Sequence, residues 1–278
     1  MESTLKGMTT ERSVNKTISR KNMVVELLNS IESGDKKAVK YIDATKFIQH
    51  NLTAEDGVIG FGKMLSELRE YKDAAMVNIV RIIEDGDFVA AHSEYNLFGP
   101  KVGFDIFRFE GDKIVEHWDN LQQLPEQPNP SGRTMIDGTQ EVNRESPTEK
   151  NRAVIKQFAD EVLVGGNFSA LGNFFLGDKY IQHNPAIGDS LTAFNAALRG
   201  MEYEGIVMRF DKIHKIICEN DFALVVSQGI FGKNGGAPTS FYDLFRVEDQ
   251  KIVEHWDVVE TILNRELHQN RNGKFGFR

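Results

Sequence analysis

The heptapeptide Lys-Ile-Val-Glu-His-Trp-Asp occurs twice, at Lys113 to Asp119 and again at Lys251 to Asp257. A chain that repeats such a segment is constrained to place it in two equivalent settings, and the self-similarity extends well beyond it. Phe47-Ile48-Gln49-His50-Asn51 is matched by Tyr180-Ile181-Gln182-His183-Asn184 in a register that also sets Asp56 on Asp189 and Phe61 on Phe194. After short insertions Asp87-Phe88 meets Asp221-Phe222, and Asp105-Ile106-Phe107-Arg108 meets Asp243-Leu244-Phe245-Arg246. Units of this size are domains, since solenoid repeats have periods of only about 20 to 50 residues. The 278 residues divide better into two average domains than one.

The expected organisation is an arm at 1–20, a first domain at 21–136, a linker at 137–149 and a second domain at 150–278. Each domain carries a tail, Gln127-Pro128-Asn129-Pro130-Ser131-Gly132-Arg133 in the first and Gln269-Asn270-Arg271-Asn272-Gly273-Lys274 in the second. Within each unit helices come first. Val24, Val25, Leu27, Leu28 and Ile31 fall at helical spacing, as do Val154, Ile155, Phe158 and Val162, with Gly34 and Gly165-Gly166 as stops. A second helix is expected over Phe61 to Tyr71, matched by Leu191 to Met201. Strands follow at Val77 to Ile83, Phe88 to Leu97, Gly103 to Phe109 and Lys113 to Asp119, joined by acidic, Gly-containing turns. Segregated helices and consecutive antiparallel strands make the fold class α+β.

A net charge of −8 argues against a nucleic-acid partner, because phosphate binding needs clustered Lys and Arg. Cys218, the single cysteine, sits after Ile216-Ile217 and reads as a buried strand residue in a reducing, cytoplasmic setting. The polar first twenty residues and the lack of a long apolar run predict neither a signal peptide nor a membrane partner.

Alternation along Gly103 to Phe109 puts Asp105 on one face with Phe107 and Phe109. A carboxylate on an aromatic face suits a general base that removes a proton beside a carbonyl; the structural alternative is an Asp that only bonds a backbone amide or an Arg. His92, on the preceding strand, is expected within reach of Asp105 as its acid–base partner, with a satisfied interior histidine as the alternative. The second unit keeps Asp243 beside Phe245 but has Val226 where the first has His92. Gln49 and His50, with Gln182 and His183, read either as polar groups at the mouth of a cavity or as pins for a loop. Whether Trp118 or His117, and correspondingly Trp256 or His255, faces the pocket depends on hairpin loop length and stays open. Glu116, His117 and Asp119 form no ligand set of recognised spacing, so no metal and no cofactor are expected.

Tyr-Ile-Gln-His-Asn-Pro, Asp-x-Phe-Arg and Lys-Ile-Val-Glu-His-Trp-Asp together resemble the SnoaL-like polyketide cyclase family of the nuclear transport factor 2-like superfamily, over almost the whole chain and twice. The resemblance implies two cone-shaped domains, each a curved antiparallel sheet wrapped by N-terminal helices around a pocket. It also implies a cofactor-free acid–base enzyme, an aldol-type cyclase or isomerase, with Asp105 and His92 catalytic and Val226 marking the second unit as the doubtful one. The expected partner is a small apolar or aromatic carbonyl compound. Alternatives are a non-catalytic binding protein of the same fold and a structural pseudo-dimer of the two domains, with room for a further homodimer.

Overall fold

A computed structural model describes residues 18–70 and 75–277. Most of the arm expected at 1–20, and the end of the helix expected to reach Tyr71, lie outside these residues. The chain is α+β, and two five-stranded sheets with accompanying helices fit two domains.

Helix α1 (Arg20–Ser33) starts where the Ser19 hydroxyl accepts the Asn22 amide and stops at Gly34, whose φ of 66° only glycine adopts cheaply. Its buried stripe of Val24, Leu27, Leu28 and Ile31 packs on the first sheet. A two-residue strand β1 (Ile48–Gln49) and helix α2 (Gly57–Glu70) lead into the meander β2 (Met76–Asp85), β3 (Phe88–Asn96), β4 (Pro100–Glu110) and β5 (Lys113–Gln123). In the second half, α3 (Thr148–Phe158) widens into a π-helical stretch over Ala159–Val164, closed by a bond from the Gly165 amide to the Asp160 carbonyl. Then come α4 (Leu171–Phe174), β6 (Ile181–Gln182), α5 (Leu191–Tyr203), β7 (Val207–Glu219), β8 (Phe222–Gly232), β9 (Ala237–Glu248) and β10 (Lys251–Thr261). The strand orders are β1-β5-β4-β3-β2 and β6-β10-β9-β8-β7, with β1 and β6 added in parallel at equivalent edges. No helix among the described residues is long and apolar enough to cross a membrane.

Both faces of each sheet are buried along its central strands. The inner faces pack against each unit's own helices, whereas the outer faces meet in one shared core containing Phe104, Ile106 and Trp118 from the first sheet and Tyr242, Leu244 and Trp256 from the second. The tails cross this junction. Asn129, in the first tail, donates to the carbonyls of Gln182 and Ile187 beside β6, and Asn270, in the second, donates to those of Asn51 and Ala54 beside β1. Each tail therefore docks on the opposite unit.

Residues 137–149, expected as a linker, are also held in place: Arg81 donates to the carbonyls of Asp137 and Thr139, and the Thr139 amide donates to Glu254. Gly138, at φ 87°, fits here because a Cβ would collide with Glu254 and the His183 ring. Gly138→Ala is accordingly expected to lose about 1–3 kcal/mol from overpacking and backbone strain. Chemical denaturation checks this, and an unchanged midpoint would contradict the packing described.

Candidate active site

Hairpin register decides which side chains meet. Both β4–β5 and β9–β10 close on two-residue turns, Glu110 opposite Lys113 and Glu248 opposite Lys251, yet a bulge at Val115 or Val253 then shifts the pairing by one. Asp105 consequently faces Asp119, and Asp243 faces Asp257, with His117 and His255 on the same inward faces. Trp118 and Trp256 point the other way, into the core between the sheets. Their expected place in a pocket is therefore corrected.

The expected couple of Asp105 and His92 is overturned. Antiparallel pairing sets Ala91 opposite Asp105 and His92 opposite Phe104, so His92 points into the space between the sheets. There it stacks on Phe104 at 4.2 Å, and its Nδ1 accepts from Arg81 at 3.2 Å. Burial, aided by the Arg81 charge, pushes its pKa well below the ordinary histidine value. The difference between His92 and Val226 is thus a difference in the core between the sheets.

A neutral His92 in the fold that protonates in the unfolded chain makes stability fall as pH drops below about 6.5, by up to about 1.4 kcal/mol per pH unit. His92→Val is expected to flatten that acid limb in unfolding measured at pH 7.5, 6.5 and 5.5. An identical slope in the variant would contradict the assignment.

His50 and His183 are likewise turned from the pockets. Each stacks on a tryptophan at 4.7 Å, Trp118 or Trp256, and each bonds a buried glutamate through Nε2, Glu116 at 2.9 Å or Glu254 at 3.0 Å. Burial alone would raise the Glu254 pKa, but hydrogen bonds from His183, Arg246 and Thr139 bring it down to about 2. These histidines pin the crossing tails, bonding the carbonyls of Gly273 and Thr134 through Nδ1.

The true partners of the two aspartates are His117 and His255. His117 Nε2 lies 2.9 Å from Asp105 Oδ1, and His255 Nε2 lies 3.1 Å from Asp243 Oδ1. Behind each ring stands a glutamine: Gln49 Oε1 is 2.9 Å from His117 Nδ1, and Gln182 Oε1 is 3.0 Å from His255 Nδ1. Both Oε1 atoms also accept backbone amides, from Asn51 and from His183 and Asn184, which identifies them as oxygens. Nδ1 must therefore carry hydrogen, and Nε2 can bond the carboxylate only if the pair holds one further, shared proton. The histidine rings are braced by Phe107 and Phe245, each at 4.7 Å.

In their surroundings the two sites part company. In the first, the Tyr95 hydroxyl donates to Asp105 Oδ2, Asn51 donates to Asp119 Oδ2, and Lys274 Nζ lies 3.6 Å from Asp119 Oδ1. Every carboxylate oxygen there has a partner. In the second, Asn184 donates to Asp257 Oδ2 at 2.6 Å, while Asp243 Oδ2 and Asp257 Oδ1 are buried with none.

Three residue changes account for this. Tyr95 is replaced by Gly229, where a Cβ would strike the Arg209 carbonyl at the β7 bulge; the aromatic ring moves across the strand pair to Phe241, which lacks a hydroxyl. Gly103 stands where the second unit has Phe241, against the Tyr95 ring. Lys274, beside Asp119, has no equivalent cation among the described residues at Asp257: Arg133, the basic residue that closes the first tail's turn, is drawn to Asp189 at 3.2 Å.

Asp243 and Asp257 stand, with Gln182, Phe245 and His255, in the wall of a cavity of about 250 Å³ lined further by Phe158, Phe175, Tyr180, Phe210 and Phe231. Burial raises the Asp257 pKa. Asp257 and Asp119 were not singled out from sequence as pocket residues, although their position two residues beyond His255 and His117 puts them on the same face. Asp105, His117 and Asp119, and likewise Asp243, His255 and Asp257, bring one donor atom each within 4.8 Å of one another, a spacing compatible with a metal ion.

No family model matches the chain, and no curated protein matches it. Solved structures do. A SnoaL-like polyketide cyclase from Agrobacterium tumefaciens is 16% identical at a TM-score of 0.32, the match covering 40% of this chain and 91% of that one. An NTF2-like protein from Cytophaga hutchinsonii is 12% identical at a TM-score of 0.33, covering 39% of this chain and 94% of that one. An LEH-like epoxide hydrolase of M. tuberculosis is 18% identical at a TM-score of 0.34, covering 41% and 84%.

Proposed function

We propose that the chain is a tandem pair of SnoaL-like units, residues 21–136 and 150–278, in which the second unit is a cofactor-free acid–base site for a small carbonyl compound. One observation carries this reading: Asp243 and Asp257, in the wall of an aromatic cavity, each keep a buried oxygen without a partner, whereas their counterparts in the first unit are capped by Tyr95 and Lys274. Asp243 Oδ2 takes the proton α to the carbonyl, leaving an enolate. The enolate carbon then bonds a second carbonyl carbon of the same molecule, and the proton held by the Asp243–His255 pair passes to the resulting alkoxide. Gln182 fixes the His255 ring for this exchange.

The first unit is the structural half of an internal pseudo-dimer, joined to the second through the shared core between their sheets. Proton NMR in deuterated buffer tests the catalytic reading. Ketones that bind the cavity should exchange their α-protons in the presence of the wild type; failure of every bound ketone to exchange would leave a binding protein without chemistry.

A further inference from the structure

The cavity has a pattern of polar groups that a carbonyl group alone does not answer. Asp243 and Asp257 stand opposite each other on β9 and β10, and among the described residues lining the cavity there is no lysine or arginine to answer their carboxyl groups. Burying a polar atom without a partner is costly, and one oxygen of each aspartate lacks any donor. The first unit shows what fits beside such an aspartate. There the buried ammonium of Lys274 lies 3.6 Å from Asp119 Oδ1 and bonds Glu260 at 2.7 Å. In the second unit the position of Glu260 is taken by Gln122, which lines the cavity and accepts the Val259 amide, and among the described residues no side-chain ammonium is bonded to Asp257.

We infer that the second cavity binds an organic ammonium, a protonated amine on a compact apolar or aromatic body, with its nitrogen on the Asp257 carboxylate and Asp243 Oδ2 left to act as the base. An ammonium supplies three donors, one of which completes Asp257 Oδ1. The rings of Phe210, Phe231 and Phe241 flank the same space, and aromatic faces attract cations as well as apolar groups. A metal ion is served less well, because His255 Nε2 is already engaged by Asp243 and two free oxygens fall short of the four to eight ligands that such ions usually take. The inference rests on the second unit being the open site and names the class of molecule that enters it.

Calorimetric titration of the full chain with 2-phenylethylammonium and its neutral isostere 2-phenylethanol tests this. The ammonium is expected to bind about tenfold or more tightly than the alcohol, at one site per chain, with Asp257→Asn removing that preference. Gln122→Lys, which brings an ammonium of the protein's own beside Asp257, should abolish amine binding and spare the alcohol. Equal affinity for the two probes would overturn the inference, as would an undiminished preference in Asp257→Asn or a response to Zn²⁺ or Mn²⁺ in place of the amine. Amine selectivity without α-proton exchange would sink the acid–base reading alone; exchange of neutral ketones without amine selectivity would sink only this inference.

Discussion

Replacing Asp243 with asparagine is expected to lower turnover of a confirmed substrate by about 10²- to 10⁴-fold, the usual contribution of a positioned acid or base. Asp105→Asn should leave turnover within about twofold. The substitution is nearly isosteric in both cases, so the contrast isolates proton chemistry from shape. Asparagine at 243 removes the proton-accepting oxygen that lacks a partner, along with the carboxylate that shares a proton with His255. At 105 both oxygens are already engaged, by His117 and Tyr95, and no substrate atom replaces either without breaking those bonds. Burial, followed by the Asp105 charge, pushes the Tyr95 pKa well above the ordinary tyrosine value, so Tyr95 stays a donor throughout the working pH range. Asp105→Asn is therefore a stability variant. Steady-state kinetics on both proteins, with circular dichroism to verify folding, give the comparison; a large loss in Asp105→Asn with Asp243→Asn active would reverse the roles of the two units.

The second large effect concerns the junction between the sheets. Trp256 is fully buried, its ring lies beneath the Arg81 guanidinium at 4.1 Å, and its Nε1 donates to the Asp137 carbonyl at 2.9 Å. Trp256→Ala is expected to cost about 3–5 kcal/mol, lowering Tm by roughly 10 °C at about 2–4 °C per kcal/mol for a chain of this size. The pseudo-equivalent Trp118 has no partner for its Nε1 and stacks instead on Phe277 at 4.3 Å. Phenylalanine should hence be tolerated better at 118 than at 256, where the lost hydrogen bond adds about 1 kcal/mol. Differential scanning calorimetry on the two phenylalanine variants distinguishes them, and equal losses would contradict the separate roles given to the rings.

The alternation of Asp105, Phe107 and Phe109, the helix stops at Gly34 and Gly165-Gly166, and the strand succession were legible from residue pattern alone. The handedness of β3 was not. Val89, Ala90, Ala91 and His92 are all buried, because the outer face of the sheet is covered by the second sheet and shows no polar stripe to mark it. Nothing in that pattern tells His92 from an inward residue; only the pairing of Ala91 with Asp105 does. The bulges at Val115 and Val253 were equally silent, since an extra β-branched residue in a strand looks like any other, yet they bring Asp119 and Asp257 onto the site. The tails were recognised as repeats, but their exchange between units depends on tertiary contacts of Asn129 and Asn270. The difference between His92 and Val226 belongs to the core between the sheets, whereas the change from Tyr95 to Gly229 and the reach of Lys274 to Asp119 set the two inward sites apart.

The second unit is proposed as the open one. A crystal of the full chain soaked with 2-phenylethylammonium, or with any ketone that exchanges, tests it most directly. Ligand density is expected against Asp243 and Asp257, with Tyr95 still bonded to Asp105. Density against Asp105 and His117, with Tyr95 displaced and the second cavity vacant, would contradict it.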